Sequence, residues 1–139
     1  MFRSEEFVLF VSLIMLAGCS EPQRGGPRVT TTPVSGIVMV NGEAAAYLQI
    51  DCHPDAGSEI KYPISTITDE HGKFAFTTYE ASDGLPEGSY KFTFSWLEPG
   101  IVQNDRLNGL FVNPNESIHK LTVVKGQESP FEIIDLTTQ

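Results

Sequence analysis

The segment from Tyr90 to Trp96 alternates strictly between aromatic and polar side chains, and no other feature constrains the fold as strongly. Its aromatic residues are Tyr90, Phe92, Phe94 and Trp96, separated by Lys91, Thr93 and Ser95. A period of two is typical of a β-strand with one face in the core and the other in solvent. The pattern therefore predicts a half-buried strand in an all-β domain, with the four aromatic side chains in the core.

Similar patterns predict strands on both sides of this segment. Val34 to Val40 is apolar and β-branched, and the Asn41-Gly42 dipeptide after it favours a type I′ hairpin turn. In this strand, alternation places Val34, Val38 and Val40 inward and Ile37 and Met39 outward. In the next predicted strand, Tyr47–His53, it places Leu48, Ile50 and Cys52 inward and Tyr47 outward. The remaining predicted strands are Tyr47–His53, Ile60–Ile64 interrupted by Pro63, Ser65–Thr68, Lys73–Thr78, Ile118–Val124 and Phe131–Leu136.

The segment Leu97–Ser117 has no apolar periodicity and is rich in Pro, Gly and Asn, so it is predicted to be a long loop. It nevertheless keeps apolar residues, which indicates that it packs on the sheets. We expect it to be functional, as long loops inside compact domains often are, or to cover the outward Ile37 and Met39.

The first residues of the chain have the features of an export signal. Phe7 to Leu16 is an apolar run of ten residues, which is too short to span a bilayer as a helix. The string Leu16-Ala17-Gly18-Cys19 resembles the lipobox of bacterial lipoproteins, which implies cleavage before Cys19 and attachment of lipid to its sulfur. The expected organisation is a signal peptide at 1–18, a lipidated cysteine and flexible tether at 19–33, and a β-sandwich at 34–139.

Charge and cysteine content agree with export to the cell envelope. The whole chain carries a net charge of −9, and removing residues 1–18 takes away one basic and two acidic residues, which leaves −8. An acidic surface without basic runs excludes nucleic acid as a partner. If Cys19 carries lipid, Cys52 has no disulfide partner in the chain, and we expect it to be a buried apolar thiol.

Three strings of residues resemble the carboxypeptidase regulatory-like domain, which is often found in small bacterial lipoproteins. They are Val34-x-Gly36-x-Val38-x-Val40-Asn41-Gly42, Thr68-Asp69-Glu70-x-Gly72-Lys73-Phe74 and Leu85-Pro86-x-Gly88-x-Tyr90-Lys91-Phe92. The resemblance implies a transthyretin-like, seven-stranded Greek-key β-sandwich over about Val34 to Leu136. Fold alone does not give function. In this family, however, the domain is usually a structural or adhesive module, so the resemblance implies no catalytic residues here.

The residues that catalysis or metal binding would need do not form a recognisable motif. His53, His71 and His119 lack the spacing of a zinc site and are expected to be exposed, and no Gly-x-Ser-x-Gly string is present. We therefore expect no enzyme activity and no cofactor. Asp69, Glu70 and Asp83, with Glu80, are weak calcium candidates because they lie in turns and offer hard oxygen ligands, although turn chemistry also explains them.

The sequence favours a lipid-anchored, non-catalytic β-sandwich that serves as a structural or protein-interaction module. The alternative is a carbohydrate-binding or calcium-dependent adhesion domain, with outward Tyr47 and Tyr79 as candidates for stacking on a sugar. The expected partners are the membrane, through lipid on Cys19, and an envelope protein or glycan.

Overall fold

Strands joined by turns and irregular loops make up residues 27–138, the part of the chain that this computed structural model describes. The predicted signal peptide at 1–18, the predicted lipidation site at Cys19 and the start of the predicted tether lie outside the described residues. Within residues 27–138 no helix is long and apolar enough to cross a membrane.

Ten β-strands occur in the described range, and seven of them have three or more residues. Their bounds are β1 Thr31–Thr32, β2 Ser35–Val40, β3 Glu43–Ala44, β4 Gln49–Pro54, β5 Ile64–Ile67, β6 Lys73–Ala75, β7 Leu85–Pro86, β8 Gly88–Ser95, β9 Lys120–Val123 and β10 Glu132–Leu136. A single 3₁₀ turn, Pro114–Glu116, precedes β9.

The strands form two four-stranded sheets and one two-stranded ribbon. In the first sheet β2 is central: β10 pairs with it in parallel, and β6 and β3 pair with it in antiparallel orientation at successive positions. The second sheet has the order β5-β4-β8-β9 and is antiparallel throughout. The ribbon joins β1 to β7.

The two large sheets share one hydrophobic core, which makes the all-β fold sandwich-like. Val38 and Ile134 enter the core from the first sheet, and Ile50 enters from the second. Phe76, just beyond β6, meets Phe92 of β8 with the ring centroids 5.6 Å apart, so aromatic contacts join the two layers. The core therefore arises from the inward phases of both sheets.

The alternation in β8 predicts its faces correctly, apart from its last aromatic residue. Tyr90, Phe92 and Phe94 are buried, as predicted. Trp96 is only half-buried at the edge of the core, because β8 ends at Ser95 and the indole N–H donates to the carbonyl oxygen of Ala46, 2.8 Å away. The prediction that Trp96 is a core residue is thus wrong: its side chain packs against the core but is only partly buried.

Several predicted elements begin or end elsewhere. The strand at Ile60–Ile64 is absent; β5 begins at Ile64, directly after Pro63, which has no N–H to donate. The strand predicted at Lys73–Thr78 ends at Ala75, since the Thr78 N–H donates to the carboxylate of Asp83 and closes a loop.

The tether predicted for 19–33 is shorter than expected at its C-terminal end. Thr31 and Thr32 pair with Pro86 and Leu85, and Val29 packs against the core. Ordered structure therefore begins before Val34, the predicted start of the domain. A strand partner far along the chain, which no local pattern indicates, orders these residues.

The predicted turn at Asn41-Gly42 is confirmed. Both residues have positive φ, 53° and 82°, as a type I′ turn requires, and they connect β2 to β3. Asn41 is also tied to the C-terminus, because its side-chain amide bonds to Thr138.

Candidate functional site

The long loop Leu97–Ser117 lies along the edge of β8, where it forms the most elaborate surface of the domain. β9 pairs only with the first half of β8, and the loop takes over from there. The N–H groups of Phe92 and Phe94 donate to the carbonyl oxygens of His119 and Phe111, each at 2.9 Å. The prediction that the loop packs on the sheets is therefore confirmed, but its hydrogen bonds are to β8, not to the strand that carries Ile37 and Met39.

Asp105 holds the loop in shape. Its Oδ1 accepts the N–H groups of Trp96 and Leu107 at 2.8 and 3.0 Å, and its Oδ2 accepts that of Gly109 at 3.0 Å. The Leu107 side chain is fully buried and anchors the loop in the core. Sequence reasoning missed Asp105, although a short acidic side chain before a Gly-containing turn is a known signal for such bonds.

A cleft of about 420 Å³ opens between this loop and the turn that precedes β4. Its polar and aromatic lining consists of Tyr47, Trp96, Glu98, Gln103 and Arg106, and the rest is small or apolar: Ala44, Ala46, Leu97 and Pro99. We refer to this site as the Tyr47 cleft. Two chain segments that are far apart in sequence build it, residues 44–47 and 96–106, so no local motif could have revealed it.

Tyr47 lies at the rim of the cleft in an unusual backbone conformation. Its φ is +60°, a left-handed value that is rare for a bulky residue, so Tyr47 is not the first residue of a strand as predicted. Its side chain is 67% exposed, which agrees with the predicted outward orientation.

Buried hydrogen bonds fix the backbone around Tyr47. The Thr68 hydroxyl donates to the carbonyl oxygen of Ala45 at 2.6 Å and accepts the Leu48 N–H at 2.9 Å. The Tyr47 N–H donates to the Thr68 carbonyl oxygen, and the Trp96 indole holds Ala46. The left-handed turn is thus imposed by tertiary contacts on both sides of Tyr47.

Trp96 and Arg106 also line the cleft and contact each other. The guanidinium carbon of Arg106 lies 4.9 Å from the centroid of the Trp96 ring, a cation–π arrangement. No carboxylate within residues 27–138 lies within 4.0 Å of Arg106. The stacked guanidinium therefore keeps its hydrogen-bond donors available to a ligand.

A second, smaller pocket of about 220 Å³ lies at the other end of the loop, around His119. The imidazole packs edge-on against Phe94, with ring centroids 5.4 Å apart, and burial lowers the pKa of His119. His119 is thus half-buried, contrary to the exposed position expected for all three histidines. Leu110 and Ile118 add apolar walls, so the pocket suits an apolar group.

The structure does not bring the two candidate tyrosines to one site. Tyr79 is half-buried: its hydroxyl accepts the Val29 N–H at 3.3 Å, and the Arg28 guanidinium lies 5.4 Å from its ring centroid. Tyr79 therefore helps to dock the N-terminal residues, whereas only Tyr47 lines a cleft.

Two of the calcium candidates, Asp69 and Asp83, accept hydrogen bonds from backbone N–H groups in their own turns. Asp69 accepts the N–H groups of His71 and Lys73, and hydrogen bonds from these amides lower the pKa of Asp69. Asp83 accepts N–H groups from three consecutive residues, Thr78, Tyr79 and Glu80. Within residues 27–138, the one ion-pair contact of Glu70 is with the neighbouring His71. In the same range, no three His, Cys, Asp or Glu side chains gather as an ion would require.

Two further groups bear on catalysis. Cys52 is fully buried, as predicted, and burial raises the pKa of its thiol, so the reactive thiolate is disfavoured. His53 Nε2 lies 2.8 Å from the Thr93 hydroxyl, which makes His53 partly buried instead of exposed. That pair lies on the outer face of the β4-β8 sheet and lines neither of the two pockets described above.

Comparison with known proteins adds little to this description. No family model and no curated protein matches the chain. One solved structure with some similarity is the crystal structure of a 9R-lipoxygenase from Cyanothece. The alignment covers 85% of this chain and 18% of the lipoxygenase chain, with 12% sequence identity and a TM-score of 0.35. A similarity of this size does not establish a common fold.

Proposed function

We propose that this chain is a lipid-anchored protein of the bacterial cell envelope, and that its domain binds a protein partner without catalysing a reaction. The lipobox-like string ending at Cys19 supports the anchor, and the apolar run before it supports export. The absence of a catalytic motif from the sequence and the high thiol pKa of Cys52 support a non-catalytic role.

One observation carries the binding role: exposed apolar side chains are concentrated in and beside the long loop. Among the described residues 27–138, twelve large apolar side chains are exposed, and half of them lie between residues 97 and 118. We call them the loop surface: Leu97, Ile101, Val102, Leu110, Val112 and Ile118. Grouped exposed apolar residues mark interaction sites in soluble domains, whereas scattered ones do not.

The shape of the loop supports a specific contact. Asp105 and the buried Leu107 hold its backbone, so the apolar side chains are presented by an ordered segment. The pocket beside His119 lies within the same surface and has room for an apolar side chain of a partner. A preorganised surface binds with a smaller loss of conformational entropy than a flexible one.

We further infer that the domain has the transthyretin-like, seven-stranded Greek-key arrangement of carboxypeptidase regulatory-like domains. The support is the likeness of the three strings at Val34–Gly42, Thr68–Phe74 and Leu85–Phe92, together with seven strands of three or more residues. In that family the domain is a structural or adhesive module, which agrees with the proposed role. Calcium-dependent adhesion has less support, since backbone amides occupy the carboxylates of Asp69 and Asp83.

In-cell photo-crosslinking tests the protein-binding proposal. A photoreactive phenylalanine replaces Ile101, which is fully exposed on the loop surface, or Ile67, which is 60% exposed on β5 and serves as the control. We expect a discrete protein adduct from position 101 and none from position 67. The same pattern from both positions, or no adduct from either, would reject the loop surface as a binding site.

The anchor is tested separately with a labelled fatty acid. The wild-type chain should incorporate the label, and Cys19→Ala should not. Equal labelling of the two would disprove lipidation at Cys19 and leave the binding proposal untouched.

A further inference from the structure

We propose that the Tyr47 cleft binds a neutral saccharide, with Tyr47 packing on the face of a sugar ring and Glu98, Gln103 and Arg106 bonding to its hydroxyl groups. This ligand site goes beyond the protein-binding function proposed for the loop surface and does not depend on it. The argument rests on the strain at Tyr47, the stacked Arg106, and the mixture of donors and acceptors in the lining.

The fold does not account for a tyrosine at position 47. Thr68 and Trp96 fix the backbone in a left-handed conformation that Gly or Asn adopts readily, whereas a bulky aromatic residue there carries a cost in backbone strain. The Tyr47 ring does not repay that cost by packing in the core, because the side chain is 67% exposed. A strained and exposed aromatic residue at the rim of a cleft indicates contact with a ligand.

Arg106 is held ready for a ligand in the same cleft. The guanidinium lies over the Trp96 ring, and the indole is itself fixed by its hydrogen bond to Ala46. Because the side chain is already ordered, binding through it loses little rotamer entropy. Arg106 therefore offers several N–H donors from a side chain that is already held in place.

The charges in the lining select the class of ligand. Glu98 accepts hydrogen bonds only, Arg106 donates only, and Gln103 does both. An anion would be repelled by Glu98 and by the net negative charge of the domain, and a cation by Arg106. A ring with vicinal hydroxyls satisfies all three side chains, since each hydroxyl both donates and accepts.

The size and shape of the cleft fit the same ligand. About 420 Å³ lies within the range of small-molecule sites, and Ala44 and Ala46 leave space beside the Tyr47 ring. The apolar C–H face of a pyranose packs on an aromatic face, while its edge carries the hydroxyls. A proline-rich peptide would also pack on aromatic residues, but its carbonyl groups accept hydrogen bonds and leave the Glu98 carboxylate without a donor.

The experiment uses the chain's single tryptophan, Trp96, as a reporter because it lines the cleft. The lipidated full chain in a non-glycosidic detergent is titrated with neutral gluco-, manno-, galacto- and chito-oligosaccharides, and tryptophan fluorescence is recorded. Tyr47→Asn removes the ring but suits the left-handed backbone; Tyr62→Asn, at another exposed tyrosine outside the cleft, is the matched control.

We expect at least one neutral oligosaccharide to change the fluorescence saturably. Tyr47→Asn should weaken its binding by about tenfold or more while the melting temperature stays equal or rises, and Tyr62→Asn should bind like the wild type. No response to any neutral probe, or equal binding by Tyr47→Asn, would overturn the proposal. Tyr47-dependent binding of a proline-rich peptide or an acidic glycan, without a response to neutral sugars, would overturn the ligand class.

Discussion

The buried hydroxyl of Thr68 offers the sharpest test of how this fold is held together. The side chain is 2% exposed, and its oxygen bonds both the Ala45 carbonyl and the Leu48 N–H. Thr68→Val keeps the shape of the side chain but removes both bonds and leaves two buried backbone groups without partners. Each unpaired group costs about 1 to 3 kcal/mol, and the added methyl group regains somewhat less than 1 kcal/mol.

The expected loss of unfolding free energy for Thr68→Val is therefore about 2 to 4 kcal/mol. Thr68→Ser is the matched control: it keeps the hydroxyl, removes one methyl group and should cost about 1 kcal/mol. Urea unfolding of the protein, followed by the fluorescence of Trp96, gives both values if the slopes agree. If Thr68→Val proves as stable as the wild type, or more stable than Thr68→Ser, the hydroxyl does not hold the turn before β4.

Three further predictions concern other parts of the domain. Gly84→Ala should lower the melting temperature far more than Gly126→Ala. Both residues have positive φ, but a Cβ at Gly84 would collide with the carbonyl oxygen of Thr32 in β1, whereas Gly126 faces open space, so its substitution costs only about 1 to 2 kcal/mol of backbone strain. Asp83→Asn should cost about 1 kcal/mol at pH 7. Burial by itself raises the pKa of Asp83, but hydrogen bonds from backbone N–H groups outweigh burial and lower that pKa. The extra stability of the wild type over Asp83→Asn should therefore be complete above the unfolded-state pKa of about 4, and it should disappear as the pH falls through the folded-state pKa. In a Cys19→Ala chain, Cys52 should resist a thiol reagent until the protein is unfolded, because burial raises its pKa.

Each of these predictions has a contradicting result. Equal melting temperatures for the two glycine variants would mean that β1 leaves its position at little cost. If the loss of unfolding free energy in Asp83→Asn is the same at pH 7 and pH 3, the loss does not come from the charge of Asp83. Labelling of Cys52 in the folded protein at the rate of a free thiol would place it at the surface.

The amino-acid sequence by itself determined the features that depend on a few neighbouring residues. Alternation decided which faces of β2, β4 and β8 are buried, because the period of a strand is a local property. The Asn41-Gly42 turn was equally predictable, since positive φ at two successive positions is a property of those residue types. The inward position of Cys52 followed from its place in an alternating strand.

Only the tertiary structure decided the features that join distant segments. β10 lies in parallel beside β2, although almost the whole domain separates them in sequence. Thr68 and Trp96 force Tyr47 out of the strand that its alternation predicts, because two buried backbone groups and an indole N–H must find partners. The Tyr47 cleft exists for the same reason: Trp96 reaches 50 residues back along the chain to satisfy one carbonyl oxygen, and no local pattern contains that contact.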